Sequence, residues 1–265
     1  MGALEAKMEV NDMNYNLNNP IAKRATKVVY EDEGNTIKLF NEGYPKADIF
    51  NEAMNHARVE EGTNLNMSRV KEVVCIDKKL GIVYEYIKGT TLMELMDKNP
   101  DKLDEYLDLF TDIQMEIFSK KVPLVSRMGD KFKSRISDSD VFDENTKYDL
   151  LQRLDGMKSH DKLCHGDFVP SNVIITENGE HYVIDWAHVT QGNAAGDVAT
   201  TYLQLCMNGK KDWAEKYLNL YIQKSGTEKN YIQRWLPIAA AIQYVKQKPE
   251  EKEILKQWID VVEPQ

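Results

Sequence analysis

The sequence predicts an α+β fold in which an antiparallel β-sheet with one helix comes first and a larger, mainly helical region follows. Two observations support this prediction. Short apolar segments separated by turns occupy the first third of the chain, whereas apolar residues at helical spacing dominate the remainder. A chain of 265 residues is long enough for two lobes that share one cleft. We therefore predict an N-terminal lobe at 1–86 and a C-terminal lobe at 87–265.

Four strands and one helix are predicted in the first lobe. Val and Ile recur in the strands, and turn residues separate them. The helix follows Pro45, and its apolar positions have helical spacing. The predicted strands are 27–30, 36–40, 69–76 and 81–87, and the helix is 46–61. The apolar stripe of that helix is predicted to contain Ile49, Ala53, Met54 and Ala57, with Glu52 off the stripe.

Helices dominate the predicted second lobe. The first of them follows Asn99-Pro100 and has one apolar stripe, whose members are Leu103, Leu107, Phe110, Ile113 and Ile117. A long insertion, 123–143, comes next. Further helices are predicted at 144–156, 211–224, 228–247 and 249–262, together with one that begins at Asp197 and includes 200–206.

A short polar run interrupts this helical pattern and carries the chemistry. Asp167 and Asn172 are five positions apart, which is the spacing of a kinase catalytic loop. Residues 173–176 and 181–184 are predicted strands joined by an Asn-Gly turn, the strongest short hairpin signal. The hairpin brings Asn172, just before it, back towards Asp185, just after it.

These side chains suit phosphoryl transfer from a metal-bound nucleoside triphosphate to a hydroxyl. A carboxylate must orient the hydroxyl and accept its proton, and Asp167 is predicted to do so. Magnesium prefers oxygen ligands, usually one or two carboxylates with phosphate and water. Asn172 and Asp185 are the predicted ligands of Mg²⁺.

The motif also resembles a known family. The run His165-Gly166-Asp167-Phe168-Val169-Pro170-Ser171-Asn172, followed by Ile184-Asp185-Trp186, is similar to the signature of the aminoglycoside phosphotransferases and choline kinases. These enzymes are relatives of the protein kinases. The resemblance implies a two-lobed protein-kinase-like fold.

Further residue roles follow from that resemblance. Lys38 resembles the strand lysine that contacts the α- and β-phosphates. Glu52 is its predicted ion-pair partner, and Asp48 is the second choice. The backbone of Glu85 and Ile87 would bind the purine edge, with Tyr84 at the back of its pocket. By the same resemblance, His165 supports the catalytic loop, and Asp197 begins a helix as its N-cap and anchors that loop.

One feature departs from the protein kinases. No glycine lies between Gly2 and Gly34, so the glycine-rich phosphate loop is missing. Residues 21–26 stand in its place, and Lys23, Arg24 and Thr26 offer donors to phosphate. The difference weakens a protein-kinase assignment more than a small-molecule-kinase assignment.

The composition of the chain limits the kinds of molecule that it is expected to bind. A net charge of −9 argues against binding nucleic acid and is compatible with steering a cationic substrate. No apolar run is long enough to span a membrane, and no signal peptide is recognised. The three cysteines, Cys75, Cys164 and Cys206, are predicted to be free, buried thiols in a reducing compartment. The predicted location is cytoplasmic.

The predicted function is transfer of the γ-phosphoryl group of ATP, or alternatively GTP, to a hydroxyl of an aminoglycoside-like molecule. A metabolic kinase for choline, ethanolamine, a sugar or an amino-acid alcohol is the first alternative. A protein kinase would need an Ala-Pro-Glu segment after Asp185, and none is present. A non-catalytic nucleotide-binding module would be expected to lack Lys38, Asp167 or Asp185. The oligomeric state is left open.

Overall fold

The structure, a computed structural model, describes residues 15–246 and 251–259. Two compact units are present. The sheet unit comprises the described part of Met1–Ile49 together with Val70–Tyr86. The helical unit comprises Phe50–Arg69 and the described part of Ile87–Gln265. Residues 50–69, which the sequence analysis assigned to the N-terminal lobe, thus group with the helical unit.

The sheet unit is built on a five-stranded antiparallel sheet in the order β1-β2-β3-β5-β4. Its strands are β1 (Pro20–Lys23), β2 (Lys27–Asp32), β3 (Asn35–Phe40), β4 (Val70–Ile76) and β5 (Lys79–Glu85). The four predicted strands are confirmed. Strand β1 was not predicted, and Ile87 lies beyond the end of β5 instead of inside it. A strand of four residues at the sheet edge has too little periodicity to be recognised in sequence.

Helix α1 (Lys46–Gly62) occupies the predicted position, but its buried face differs from the prediction. The buried residues of α1 are Ile49, Glu52, Asn55, His56 and Val59. Met54 is 45% exposed, so its assignment to the apolar stripe was wrong. Glu52 is buried on the inner face and not off it. A helix whose inner face includes a glutamate and a histidine has a weak apolar period, and sequence patterns then mislead.

The helical unit contains the remaining helices and two small sheets. Strands β6 (Thr90–Thr91), β8 (Val173–Ile175) and β9 (His181–Val183) form one sheet, and β7 (Lys162–Cys164) pairs with β10 (Thr190–Gly192) in the other. The helices are α2 (Leu92–Lys98), α3 (Leu103–Phe118), α4 (Met128–Ser137), α5 (Glu144–Asp155), α6 (Ala194–Met207), α7 (Lys211–Ser225), α8 (Lys229–Gln233), α9 (Leu236–Tyr244) and α10 (Lys252–Ile259).

Helix α3 follows a 3₁₀ turn at Pro100–Lys102, as the Asn-Pro signal predicted. Four members of its predicted stripe are fully buried: Leu107, Phe110, Ile113 and Ile117. They join one large core that also contains Phe168 of the predicted catalytic loop (165–172) and Trp186 of the segment after β9. The rings of Phe110 and Phe168 stack with centroids 4.4 Å apart. The catalytic loop is therefore packed directly on the core of this unit.

Three C-terminal predictions need correction. The insertion 123–143 contains a helix, α4, which the sequence analysis did not predict. The predicted helix 228–247 is divided into α8 and α9, because Pro237 at the start of α9 cannot continue a helix from the preceding turn. The predicted helix 249–262 appears as α10, while Pro249 and residues 260–262 lie outside the described residues.

The cysteines are free, as predicted, but they are not all buried. Cys75 is exposed, Cys206 is partly buried and Cys164 is buried. Burial raises the pKa of the Cys164 thiol well above its ordinary value, which disfavours the reactive thiolate. Among the described residues, no helix is both long and apolar enough to cross a bilayer.

Candidate active site

The hairpin of β8 and β9 brings Asn172 and the chain next to Asp185 together, as predicted. Val173 is paired with Val183, and the Ile184 amide donates to the Asn172 carbonyl at 3.0 Å. Asp185 follows immediately and has left-handed backbone geometry, with φ of 65°. A non-glycine residue held at positive φ is strained, and such strain is common where a side chain must be aimed for function.

Asp167 is held by two side chains within the helical unit. The Asn172 amide nitrogen donates to the Asp167 carbonyl at 2.9 Å and to its carboxylate at 3.3 Å. The Gln204 amide, from α6, donates to the other carboxylate oxygen. Asp167 and Asn172, predicted to act together, are thus in direct contact. Their bond uses the amide nitrogen of Asn172 and leaves its carbonyl oxygen as the potential metal ligand.

His165 supports the loop, as the resemblance implied. Its ring is fully buried between Phe168 and Trp186. One ring nitrogen, Nδ1, accepts from the Asp167 amide at 3.2 Å, and Nε2 lies 3.1 Å from the Ile184 carbonyl. These partners assign a neutral ring with its proton on Nε2. The imidazole therefore joins the loop before Asp167 to the strand before Asp185.

Asp197 is 1% exposed and braces the loop from α6. Its carboxylate accepts from the main-chain amides of Gly166 at 2.7 Å and His165 at 3.2 Å. Burial raises the pKa of this carboxyl, although the hydrogen bonds from the Gly166 and His165 amides and from Gln114 act in the opposite direction. The predicted N-cap role was wrong, because the cap of α6 is Asn193, whose side chain accepts from Ala195. The structure does show Asp197 anchoring the loop, through its hydrogen bonds to Gly166 and His165.

A buried polar network extends from Asp197 into the helix core. The Gln114 amide donates to Asp197 and to Thr201, at 3.2 Å each, and the Tyr217 hydroxyl donates to the Gln114 carbonyl. The Thr201 hydroxyl in turn donates to the Phe168 carbonyl at 2.9 Å. Sequence reasoning missed these residues and Gln204. The available signal was polar residues at inward positions of otherwise apolar helices, which must find partners when buried.

Gly166 has a steric reason to be glycine. Its φ is +79°, and a Cβ atom there would lie 2.5 Å from the carbonyl oxygen of His188. Only glycine accommodates both the positive φ and the close backbone approach. The segment after Asp185 therefore packs directly on the loop before Asp167.

The remaining predicted residues lie in different units. Lys38 of β3 is 7% exposed, with its ammonium 5.7 Å from the centroid of the Tyr84 ring. Glu85 ends β5 opposite Asn35, and Ile87 begins the helical unit. Glu52 of α1, also 7% exposed, belongs to the helical unit. In that unit the neighbouring Asn55 side chain donates to the Ala187 carbonyl at 3.4 Å, which links α1 to the segment after Asp185.

The donor set fits magnesium. Asp185 supplies a carboxylate and Asn172 a carbonyl oxygen from the two ends of one hairpin, and hard oxygen ligands are those that Mg²⁺ prefers. Among residues 15–246 and 251–259, no three His, Cys, Asp or Glu side chains converge in the manner of a transition-metal site. Two protein oxygens leave positions for phosphate and water, which is how Mg²⁺ is commonly held beside nucleotides.

Comparisons with known proteins agree with this geometry. Residues 131–257 match the model of the phosphotransferase enzyme family, and this range includes the whole catalytic hairpin. A thermostable mutant of aminoglycoside phosphotransferase APH(4)-Ia, solved with AMP-PNP and hygromycin B, superposes with a TM-score of 0.67. It is 16% identical, over 91% of this chain and 89% of that one. The fold is that of the phosphotransferase family.

Two further solved structures share this phosphotransferase fold. Aminoglycoside 2′-phosphotransferase IIIa in its GDP complex is 12% identical over 93% of this chain and 92% of that one, with a TM-score of 0.61. A choline/ethanolamine kinase family protein from Mesorhizobium loti is 13% identical over 92% and 88%, with a TM-score of 0.58. No curated protein matches the sequence. The resemblance predicted from the catalytic motif is confirmed, and so is the predicted fold.

Proposed function

We propose that the protein transfers the γ-phosphoryl group of ATP to a hydroxyl of a small molecule. The observation that carries this proposal is the contact between Asn172 and the Asp167 carboxylate, in a loop that the hairpin joins to Asp185. The APH(4)-Ia complex with AMP-PNP supports ATP as the donor, and the GDP complex of the 2′-phosphotransferase keeps GTP as the alternative.

Each residue has a proposed task. Asp167 orients the acceptor hydroxyl and takes its proton while the oxygen attacks the γ-phosphorus. Gln204 and Asn172 hold the Asp167 carboxylate in position. Lys38, with Glu52, positions the α- and β-phosphates, and the backbone of Glu85 and Ile87 binds the purine.

The reaction balances without a covalent enzyme intermediate. The bond between the γ-phosphorus and the bridging oxygen of ADP breaks as the bond to the acceptor oxygen forms. The acceptor proton passes to Asp167, and ADP leaves. Magnesium, held by Asn172 and Asp185, would neutralise the phosphate charge. Most of the rate enhancement then comes from positioning and preorganised charge.

The chemical class of the acceptor molecule is a separate part of the proposal. APH(4)-Ia was solved with hygromycin B, which supports an aminoglycoside, and the choline/ethanolamine kinase family neighbour supports an amino alcohol. A sugar or a hydroxy acid fits the same catalytic residues. Lys131 and Arg135, which line a cavity beside Gly166, favour an acceptor that carries negative charge.

A phosphorylation screen tests the reaction. Mg-ATP and Mg-GTP are each combined with aminoglycosides, choline-like alcohols, sugars and hydroxy acids, and phosphorylated product is detected by mass spectrometry. With the acceptor found, Asp167→Asn should lower kcat by about 10²–10⁴-fold and leave nucleotide affinity within about twofold. Asp161→Asn is the matched control, since that carboxylate is exposed and pairs with Lys121 at 2.6 Å. Near-normal turnover by Asp167→Asn would refute the base assignment.

A further inference from the structure

A small cavity of about 30 Å³ lies within the helical unit beside the catalytic loop. Gly166, immediately before Asp167, lines it, and so does His188, three residues after Asp185. Helices α4, α6 and α9 supply most of the remaining wall. The volume exceeds the space that one water needs and suits a compact chemical group.

The cavity is lined by positive charge. Lys131 and Arg135, one helical turn apart on α4, are joined there by Lys246 after α9. Among the described residues, Asp197 is the one carboxylate in the wall, and main-chain amides of the catalytic loop already bind it. Neither Lys131 nor Arg135 forms an ion pair within the described part of the chain.

Lys131 is destabilised in its charged form by burial and by its cationic neighbours. Its ammonium donates to the His188 carbonyl at 3.1 Å, and within residues 15–246 and 251–259 no carboxylate pairs with it. The pKa of Lys131 is lowered to about 8, mainly by burial and in addition by the positive charges of Arg135 and Lys246. Clustered cations that are partly desolvated are unfavourable unless an anion joins them.

Thr190 adds a neutral hydrogen-bond donor to the residues that line this cavity. The residue is 2% exposed, and its buried hydroxyl has no hydrogen-bond partner in the described part of the chain. A buried hydroxyl without a partner costs free energy, so such groups in native proteins usually await a ligand or a water. The charges of Lys131 and Arg135, together with the Thr190 hydroxyl as a donor, are complementary to an oxyanion.

We propose that this cavity binds an oxyanion group, a carboxylate or phosphate, carried by the hydroxyl acceptor. The inference rests on the proposed function, because the cavity adjoins the residue assigned as the base. A hydroxy acid or a sugar phosphate would place its anionic end against Lys131 and Arg135, with its hydroxyl towards Asp167. An aminoglycoside or choline would meet like charge at the same position.

Binding measurements test the charge preference independently of turnover. Gluconate, glucose and glucosamine share a carbon skeleton and differ in charge, and glucose 6-phosphate adds a phosphate. Each is titrated calorimetrically into the full-length protein saturated with Mg-AMP-PNP, so that the nucleotide site is filled. The anionic compounds should bind at least about tenfold more tightly than the neutral and cationic ones, as expected for a charge-assisted hydrogen bond.

Variants then locate the site. Lys131→Met and Arg135→Met should each weaken binding of the anionic compounds by about tenfold and leave Mg-AMP-PNP binding unchanged. Lys133→Met is the control, because Lys133 lies on the same helix but pairs with Asp155 at 3.7 Å. Equal or tighter binding of glucosamine or glucose would overturn the inference, and so would unchanged gluconate binding by Lys131→Met.

The two proposals fail in different ways. Phosphorylation confined to aminoglycosides or choline-like alcohols would leave the kinase proposal intact and remove the oxyanion site. Oxyanion binding that depends on Lys131, without phosphorylation of any acceptor, would keep the site and remove the kinase proposal.

Discussion

The carboxylate of Asp197 accepts a 2.7 Å hydrogen bond from the main-chain amide of Gly166. This bond ties the first turn of α6 to the residue just before the proposed base. Because Asp197 is buried, its carboxylate could not exchange this hydrogen bond for one with water at no cost in free energy. The position of Asp167 therefore depends on a residue thirty positions further along the chain.

Asp197→Asn should be strongly disruptive. In the asparagine side chain an NH₂ group replaces one carboxylate oxygen, and this donor would face the main-chain N–H donors of the loop. We therefore expect the free energy of unfolding to fall by about 2 kcal/mol and kcat to fall as well. Urea denaturation and initial rates measure both effects. Asp212→Asn, in the exposed first turn of α7, is the control and should change neither. Equal stability of Asp197→Asn and the natural protein would contradict the brace.

Gln204→Met should act on turnover without acting on nucleotide affinity. The substitution keeps the length of the side chain and removes the donor to Asp167. A carboxylate free to rotate is misplaced for the acceptor, so we expect kcat to fall about tenfold with KM for ATP unchanged. Gln152→Met, on the exposed side of α5, serves as the control. A raised KM for ATP with normal kcat would show that Gln204 acts elsewhere.

Gly166→Ala separates steric contact from backbone strain. The new Cβ would meet the His188 carbonyl, in addition to the strain of positive φ, which costs about 1–3 kcal/mol. Gly209 has a φ of +73° and open space around its Cβ position, so Gly209→Ala bears the strain alone. We expect Gly166→Ala to be the less stable variant in thermal denaturation and the only one to lose turnover. Equal losses would mean that the contact with His188 is unimportant.

Lys38 and Glu52 should behave as a functional pair. If they position the phosphates together, Lys38→Met and Glu52→Gln should each impair kcat/KM for ATP, and the double variant should be little worse than either single variant. Steady-state kinetics of the four proteins measure the coupling. Lys71→Met is the control, since its ammonium is exposed and bonds to Asn35 at 2.6 Å. Strictly additive losses would argue that the two residues act independently.

The lowered pKa of Lys131 predicts a pH dependence of stability. With a pKa of about 8 in the folded protein and 10.5 as the ordinary value, the unfolded chain binds more protons between those limits. The free energy of unfolding contributed by this group therefore rises as the pH increases from about 8 to 10.5. Lys131→Met should be more stable than the natural protein at pH 7, and the difference should shrink by pH 9.5. Urea denaturation at both pH values provides the measurement, and parallel pH profiles would contradict the prediction.

Much of the architecture was predictable because its signals are local. An Asn-Gly turn between β-branched segments specifies the catalytic hairpin, and the stripe of α3 specifies its buried face. Elements were missed where the local signal is weak. Strand β1 is short, and α4 is a short, largely polar helix whose buried residues are Met128 and Ile136. The buried face of α1 was misjudged because Glu52 and His56 lie on it.

The sequence by itself determined how the proposed phosphoryl-transfer residues are brought together, since the spacing of Asp167, Asn172 and Asp185 depends on a hairpin that local preferences encode. Only the tertiary structure decided what surrounds them. Gln204 reaches Asp167 from another helix, and Lys131 reaches the His188 carbonyl across fifty-seven positions. Such contacts arise when separate elements pack on one core, and no local pattern records which side chains that packing brings together. The charge of the proposed acceptor site belongs to this second kind of information.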